Sequence, residues 1–372
     1  MTFPFSPDGH WHSVVDRIGG LVDLDATARQ FGAFQRARKL RTAADLLRLA
    51  MFYGPAGLSL RLAAQATCEA GMAERFSDKA VLGRLCRMGD WLEHILQRLL
   101  TDIGGQLGGD LALVDGTLVY SSGPGKPGLR VHALYEPALG RFTDFHVTTD
   151  RVREAAGLTR LVPGRIMVFD RGYARVRNIA DVLAAGSDLV TRIGWRSLAL
   201  READGETPFD LIGHLPQGDA VLDHSVRLAS LTAPLRLVVA RLPPEARASA
   251  EKRVRRRSSK KSHRMDPRTA VTAGYLMLVT SLPAERYPAA EVVALYRNRW
   301  QVELGFKRLK SLSGADQLRA AHPALARTWL LAHLIGAVLT EEFASRIAGF
   351  SPQSRAQGQA AEDWDEKPKA AA

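Results

Sequence analysis

Apolar and polar positions follow two different periods along this 372-residue chain, and the change comes near residue 108. Residues 1 to about 105 read as helical. Thr42 to Asp45 has the form of a capping box and is followed by Leu46, Leu47, Leu49, Ala50 and Phe52. Gly54, Pro55 and Gly57 break that helix. A second starts at Ser59 and a third at Ser77, running through Leu82, Leu85 and Leu92. From Leu111 to Tyr120 the pattern is that of a strand with a carboxylate, Asp115, in its middle. Leu129–Tyr135 and Arg141–Thr148 read as a hairpin around Pro137 and Gly140. A short helix, the strand Ile166–Asp170, a helix from Arg175 to Ala185 and the strand Asp188–Arg192 complete the order of an α/β domain with a mixed sheet.

From about 194 to 286 the pattern is of short strands with turn signals. Asp204-Gly205 is a hairpin turn, and Leu235–Leu242 and Tyr275–Leu282 are apolar strands. One long helix is expected from Pro288 to about Ser313 and another from Pro323 to about Ile347, with Trp329, Leu330, Leu334 and Val338 as an apolar stripe suited to core packing or to a dimer. The polar tail after residue 347 reads as disordered. The layout is therefore a helical segment 1–105, a first core segment 106–193, a β-rich insertion 194–286, a second core segment 287–347 and a tail 348–372. The helical segment is either a DNA-binding head or a helical cap on the core. Arg36, Arg38, Lys39 and Arg41 precede its first capped helix.

Composition narrows the partners. Lys plus Arg number 51 against 39 Asp plus Glu, a formal charge of +12, which suits a polyanion. Glu251 to Arg264 alone carries eight Lys or Arg and one Glu. No apolar run approaches the roughly 20 residues that span a bilayer. The first 20 residues have no signal-peptide core, so a cytoplasmic, nucleoid-associated protein without a membrane is expected. Cys68 and Cys86 are too few for a zinc site and read as buried core thiols. The ten histidines show no ligand spacing. Gly123–Gly128 lacks phosphate-loop spacing, and Ser121 and Ser122 have no base and orienter nearby in sequence.

The candidate chemistry lies in carboxylates. Asp115 follows Leu-Ala-Leu-Val and Asp170 follows Ile-Met-Val-Phe. A carboxylate ending an apolar strand is costly unless paired, hydrated or metal-bound. Two of them about 4 Å apart would repel by roughly 4 kcal/mol at an effective dielectric near 20. A divalent cation such as Mg²⁺ or Mn²⁺ turns that repulsion into a site. On one continuous helix, Tyr296, Arg299, Glu303 and Lys310 would fall within a sector of roughly 60°, beside the apolar stripe Leu295, Val302, Phe306 and Leu309. The plain alternative for Arg299 and Glu303 is an ion pair one helical turn apart.

Asp115-Gly-Thr, Asp170-Arg-Gly-Tyr173 and Tyr-x2-Arg-x3-Glu-x6-Lys ending at Lys310 resemble the bacterial DDE transposases of the insertion-sequence-four family, over roughly residues 30–345. The last pattern is that family's signature. The resemblance implies an α/β, RNase H-like catalytic core with a largely β insertion between the second Asp and the Glu. Fifty-five residues separate Asp115 from Asp170 and 133 separate Asp170 from Glu303, which leaves room for one. It implies that Asp115, Asp170 and Glu303 bind two Mg²⁺ ions, with Mn²⁺ as a substitute. Tyr296, Arg299 and Lys310 then hold phosphates, Arg192 is a further DNA contact, and Tyr275 stands where relatives stack an aromatic on a flipped base. The partners implied are double-stranded DNA (terminal inverted repeats and target) and a second copy of the chain. The basic run, with Arg255, Arg256, Arg257, Lys260 and Lys261, becomes an arm that tracks DNA. Two other readings stay open: an RNase H-like nuclease that cuts without joining, and a catalytically silent DNA-binding derivative.

Overall fold

The computed structural model describes residues 9–36, 39–104, 109–121, 128–260, 265–314, 317–320 and 322–349. The tail 351–372, Lys261, Arg38, Ser122 and most of the Gly123–Gly128 loop lie outside these residues, as do the side chains of Arg257 and Lys260. The chain opens with six helices: α1 (Gly9–Gly19), α2 (Leu24–Gln30), α3 (Ala43–Tyr53), α4 (Leu60–Glu69), α5 (Asp78–Leu85) and α6 (Gly89–Gly104). Thr42 forms both halves of the capping box with Asp45, and the hydroxyls of Ser59 and Ser77 cap α4 and α5. The third helix expected from the sequence is two, because the chain turns at Cys86–Met88 before α6 begins.

The sheet comprises β1 (Leu111–Ser121), β2 (Gly128–Glu136), β3 (Arg141–Thr149), β4 (Ile166–Phe169), β5 (Asp188–Arg192), β6 (Leu200–Arg201), β7 (Val221–Leu228), β8 (Leu231–Arg241), β9 (Tyr275–Thr280) and β10 (Gln317–Leu318). Among the described residues these form one ten-stranded sheet in the order β3-β2-β1-β4-β5-β9-β8-β7-β6, with β10 also on β1. β1, β4 and β5 are parallel, and the rest of the main path is antiparallel. The strands of residues 194–286 thus extend the core sheet and form no sheet of their own. Between β4 and β5 lies α7 (Val176–Ala184), and between β8 and β9 lie α8 (Pro244–Lys260) and α9 (Pro267–Thr272). The basic run, expected only as an arm between two apolar strands, is helical as far as Lys260. Its alternation of Arg, Lys and Ser around one Val gives no apolar stripe to reveal a helix.

The C-terminal part holds α10 (Ala289–Arg297), α11 (Trp300–Ser313) and α12 (Pro323–Gly349). The single helix expected from Pro288 to Ser313 is interrupted. At Asn298 and Arg299 the backbone bonds shorten to three-residue steps, Asn298 to Leu295, Arg299 to Tyr296 and Gln301 to Asn298. α12 corrects the reading of apolar runs: its Pro323–Ala344 stretch, 22 residues, is long and apolar enough to cross a membrane, yet two-thirds of its apolar window is buried in the protein. Trp329, Leu330, Leu334 and Val338 are all inside the core, which removes them as a dimer face. Cys68 and Cys86 are half-buried and not core thiols.

Two cores cover the two faces of the sheet. One joins α1–α6, α10–α12 and the inner positions of β1–β3, so the first hundred residues pack as a cap on this face. The other joins Val114, Phe169 and α7 to β7–β9. α11 sits close on the sheet because Gly305 has no side chain: a Cβ there would lie 2.9 Å from Phe142 Cζ and 3.2 Å from Tyr135 Cδ2. Gly305→Ala gains about 1 kcal/mol of helix propensity but drives a methyl into two buried rings, at about 1–3 kcal/mol. The expected result is a lower urea midpoint. A higher midpoint would show that α11 does not depend on this close approach.

Candidate active site

The register of β1 and β4 brings the two aspartates together. Val114 and Phe169 are the last paired residues of these parallel strands. Asp115 and Asp170 are the next residue on each, where the strands part; neighbouring strands lie about 4.8 Å apart. β10 pairs with β1 only further on, at Tyr120 and Ser121. This is the carboxyl end of the parallel strands, where open α/β sheets bind ligands.

Asp115 is the more enclosed. Burial pushes its carboxyl up to about 6, although the Gly116 N–H donates to Oδ1 at 2.8 Å and Arg299 lies nearby; the charges of Asp170 and Glu154 push it further up. Asp170 opens the 3-10 turn Arg171–Tyr173. Glu303 is in the first turn of α11.

One guanidinium joins all three carboxylates. Arg299 approaches Asp115 Oδ2 at 3.6 Å, Asp170 Oδ1 at 3.9 Å and Glu303 Oε1 at 2.5 Å. The Arg299–Glu303 ion pair expected from spacing forms, but as one side of a four-residue cluster. The interruption between α10 and α11 places Arg299 there. Burial alone would lower Arg299, but Tyr296, Asp170 and Glu303 hold it above its usual range, so it stays charged. Tyr296 is buried, and its hydroxyl donates to Asp170 Oδ1 at 3.3 Å. Burial, then Asp170, raises this phenol to about 12, against Arg299 and Arg192. It remains a protonated donor and not a nucleophile. Lys310 Nζ donates to the Leu118 carbonyl of β1 at 3.3 Å, further along the same strand as Asp115.

The other expected residues divide. Arg192 ends β5 and acts electrostatically on Tyr296. Tyr275 is a correction: it is buried in the second core, and its hydroxyl donates to the Pro216 carbonyl, so no ring face is offered for stacking. Arg255 and Arg256 are exposed on α8. The register of β5, β9 and β8 sends α8 out from the carboxylate end of the sheet, since Arg192 pairs with Leu278 and Tyr275 with Arg241.

Sequence reasoning missed three features. Trp300, 55% exposed, begins α11 beside Arg299. Trp195 lies under the guanidiniums of Arg196 and Arg268, 4.1 and 4.5 Å from its ring centre. Glu154 comes from the polar loop after β3 and does not follow directly on apolar strand residues as the two aspartates do. Gly172, after the second aspartate, was the available signal.

Among the described residues, no three His, Cys, Asp or Glu side chains are gathered closely enough to hold a metal ion. Asp115, Asp170 and Glu303 instead converge on a guanidinium. The set nevertheless fits a divalent ion: every donor is a hard oxygen, the three already share one cation, and Asp115 ionises with difficulty without compensation.

Residues 106–339 match the family described as Transposase DDE domain. The chain is 35% identical over 361 residues to the putative transposase InsL for insertion sequence element IS186A of Escherichia coli (strain K12), covering 93% of this chain and 96% of that protein. It is 34% identical over 359 residues to the transposase for insertion sequence element IS421 of Escherichia coli, with the same coverage. It is 24% identical over 319 residues to the transposase for insertion sequence element IS231F of Bacillus thuringiensis subsp. israelensis, covering 72% of this chain and 64% of that protein. The chain belongs to the DDE transposase family, whose members act on DNA and use divalent metal ions.

The raised Asp115 sets a pH test. A carboxyl raised from 3.8 to about 6 by folding adds stability below about pH 4, and this is lost as pH rises through 6. Asp115→Asn should therefore stabilise the metal-free protein at pH 7 by about 1–3 kcal/mol, and by nothing at pH 4. Urea titrations at the two pH values check this. A loss at pH 7 would mean that Arg299 already compensates the charge fully.

Proposed function

We propose that this protein is a cut-and-paste DNA transposase of the insertion-sequence-four type, with an RNase H-like core, that cuts its element's ends and joins them to a target. The observation that carries this is the convergence of Asp115, Asp170 and Glu303 on one cationic group at the carboxyl end of the parallel strands. Supporting it, Tyr296, Arg299, Glu303 and Lys310 keep the signature spacing, and three of them touch β1, Asp170 or both aspartates. Relatives named as transposases of insertion sequence elements cover nearly the whole chain.

Asp115, Asp170 and Glu303 are the residues that would hold two Mg²⁺ ions, or Mn²⁺ in their place. When bound, the ions activate water or a DNA 3′-OH and stabilise the leaving oxygen of an in-line displacement at phosphorus. Arg299 holds the carboxylates together in the free protein. Once their charge is matched otherwise, its planar fork is released to grip a phosphate. Tyr296 keeps Asp170 oriented by donating to it. Lys310, held at β1, supplies a point charge further along the same strand as Asp115. Trp300 offers the exposed ring on which a base can stack, a role for which Tyr275 is too buried.

DNA is gripped around the same end of the sheet. Arg192, the Arg196–Trp195–Arg268 stack and helix α8 all leave from it. If α8 and the residues after it neutralise about six phosphates, the log–log dependence of binding on salt has a slope near −5. Replacing Arg255, Arg256, Arg257, Lys260 and Lys261 with Ala should flatten it, as read by titrating end DNA at several salt concentrations; an unchanged slope removes the basic helix from DNA binding. Two copies, one on each end, are the expected working unit.

Asp170→Asn should abolish Mg²⁺-dependent cleavage of end DNA while leaving end binding within about twofold, because Asp170 bears on chemistry and not on the distant DNA contacts. Cleavage by this variant would overturn the assignment. Cleavage by the parent chain with no joined product would make it a nuclease.

A further inference from the structure

Resting on that reading, we propose that Glu154 is a fourth carboxylate of the metal centre, set beside Asp115 through the gap left by Gly172. Glu154 lies in the loop after β3, and three contacts fix it. Its Oε1 accepts from Arg130 Nη1 on β2 at 2.7 Å. Its backbone carbonyl accepts from Asn178 Nδ2 on α7 at 3.5 Å, and the same amide nitrogen donates to the Tyr173 carbonyl at 2.9 Å. The third is the bare backbone after the second aspartate. A Cβ on Gly172 would fall 1.7 Å from Glu154 Oε2, whereas a Cβ on Gly116 would meet Glu154 Cγ at an ordinary 3.4 Å. Gly172 has no positive φ, so a turn does not explain it; the room it leaves is filled by Glu154.

A second observation points to a ligand at the same place. The Tyr173 hydroxyl is buried, the residue being 1% exposed, and has no hydrogen-bond partner among the described residues. It lies 3.4 Å from the position of a Gly116 Cβ, as Glu154 Cγ does. The charges of Glu154, Asp115 and Asp170, in that order after burial, all act on this phenol. A buried donor left unpaired is costly. An oxygen brought in by the metal centre, as bound water or a phosphate, would give it an acceptor. Arg130 occupies one Glu154 oxygen only, which leaves Oε2 over Gly172 as the ligating or water-holding atom.

The alternative role for Glu154 is a structural ion pair with Arg130, and the two roles separate in a binding measurement on the full chain. Mn²⁺ is titrated into the protein and the free ion is read by electron paramagnetic resonance. Glu154→Gln should weaken Mn²⁺ binding about tenfold. Arg130→Gln breaks the same ion pair but removes a positive charge, so it should bind Mn²⁺ at least as tightly as the parent. Glu154→Asp should recover part of the loss. Unchanged affinity in Glu154→Gln overturns the proposal, and so does an equal loss in Arg130→Gln. Asp170→Asn serves as the reference. If it loses Mn²⁺ while Glu154→Gln does not, only the fourth carboxylate falls. If Asp170→Asn binds as the parent does, the three-carboxylate centre falls with it.

Discussion

Everything at this site follows from placing two carboxylates side by side at the mouth of an apolar sheet. Asp115 and Asp170 follow directly on the last register pair of β1 and β4. Their flanking positions, Val114 and Phe169, are fully committed to the second core. The strands cannot move apart to relieve the repulsion without opening that core. The charge must therefore be matched locally, and in the free protein Arg299 matches it. Burial, more than the charge of Asp170, raises the Asp115 carboxyl, and the guanidinium 3.6 Å away does not bring it back down.

The rest of the structure serves that arrangement. The break between α10 and α11 turns Arg299 toward the aspartates while Glu303 stays one turn further on. Gly305 lets α11 lie on Phe142 and Tyr135, and Phe306 completes the aromatic cluster beneath it. The cap of N-terminal helices and α12 closes the same face. On the other face, the strands after β5 prolong the sheet and project α8 and the Arg196–Trp195–Arg268 stack from its carboxylate end. Fixed anionic chemistry and a basic surface thus share one edge of one sheet, as an enzyme acting on a polyanion needs.

Much of this was legible in the sequence, for identifiable reasons. Asp115 and Asp170 stood out because a charge after four apolar strand residues is expensive. Thr42, Ser59 and Ser77 announced helices because capping is a local interaction. Glu303 was legible through its spacing from Tyr296, Arg299 and Lys310. What was not legible depends on contacts distant in sequence. The interruption at Asn298 has no Pro or Gly to mark it. The resemblance offered Tyr275 as a stacking aromatic, while a strand tyrosine is more often a core residue, and in the structure it is buried. Helix α8 carries too many charges for an apolar period. Glu154 is defined by a glycine in another segment, Gly172, and only the assembled sheet brings the two together.

The three carboxylates are proposed as a metal centre for which Arg299 stands in when no metal is bound. A crystal structure of the full chain with end DNA and Mn²⁺, with the ions located by anomalous scattering, tests it most directly. Mn²⁺ peaks held by Asp115, Asp170 and Glu303 are expected, with Arg299 withdrawn from the aspartates and placed on a phosphate. Mn²⁺ bound elsewhere, or Arg299 still seated between Asp115 and Asp170 with DNA in place, would contradict it.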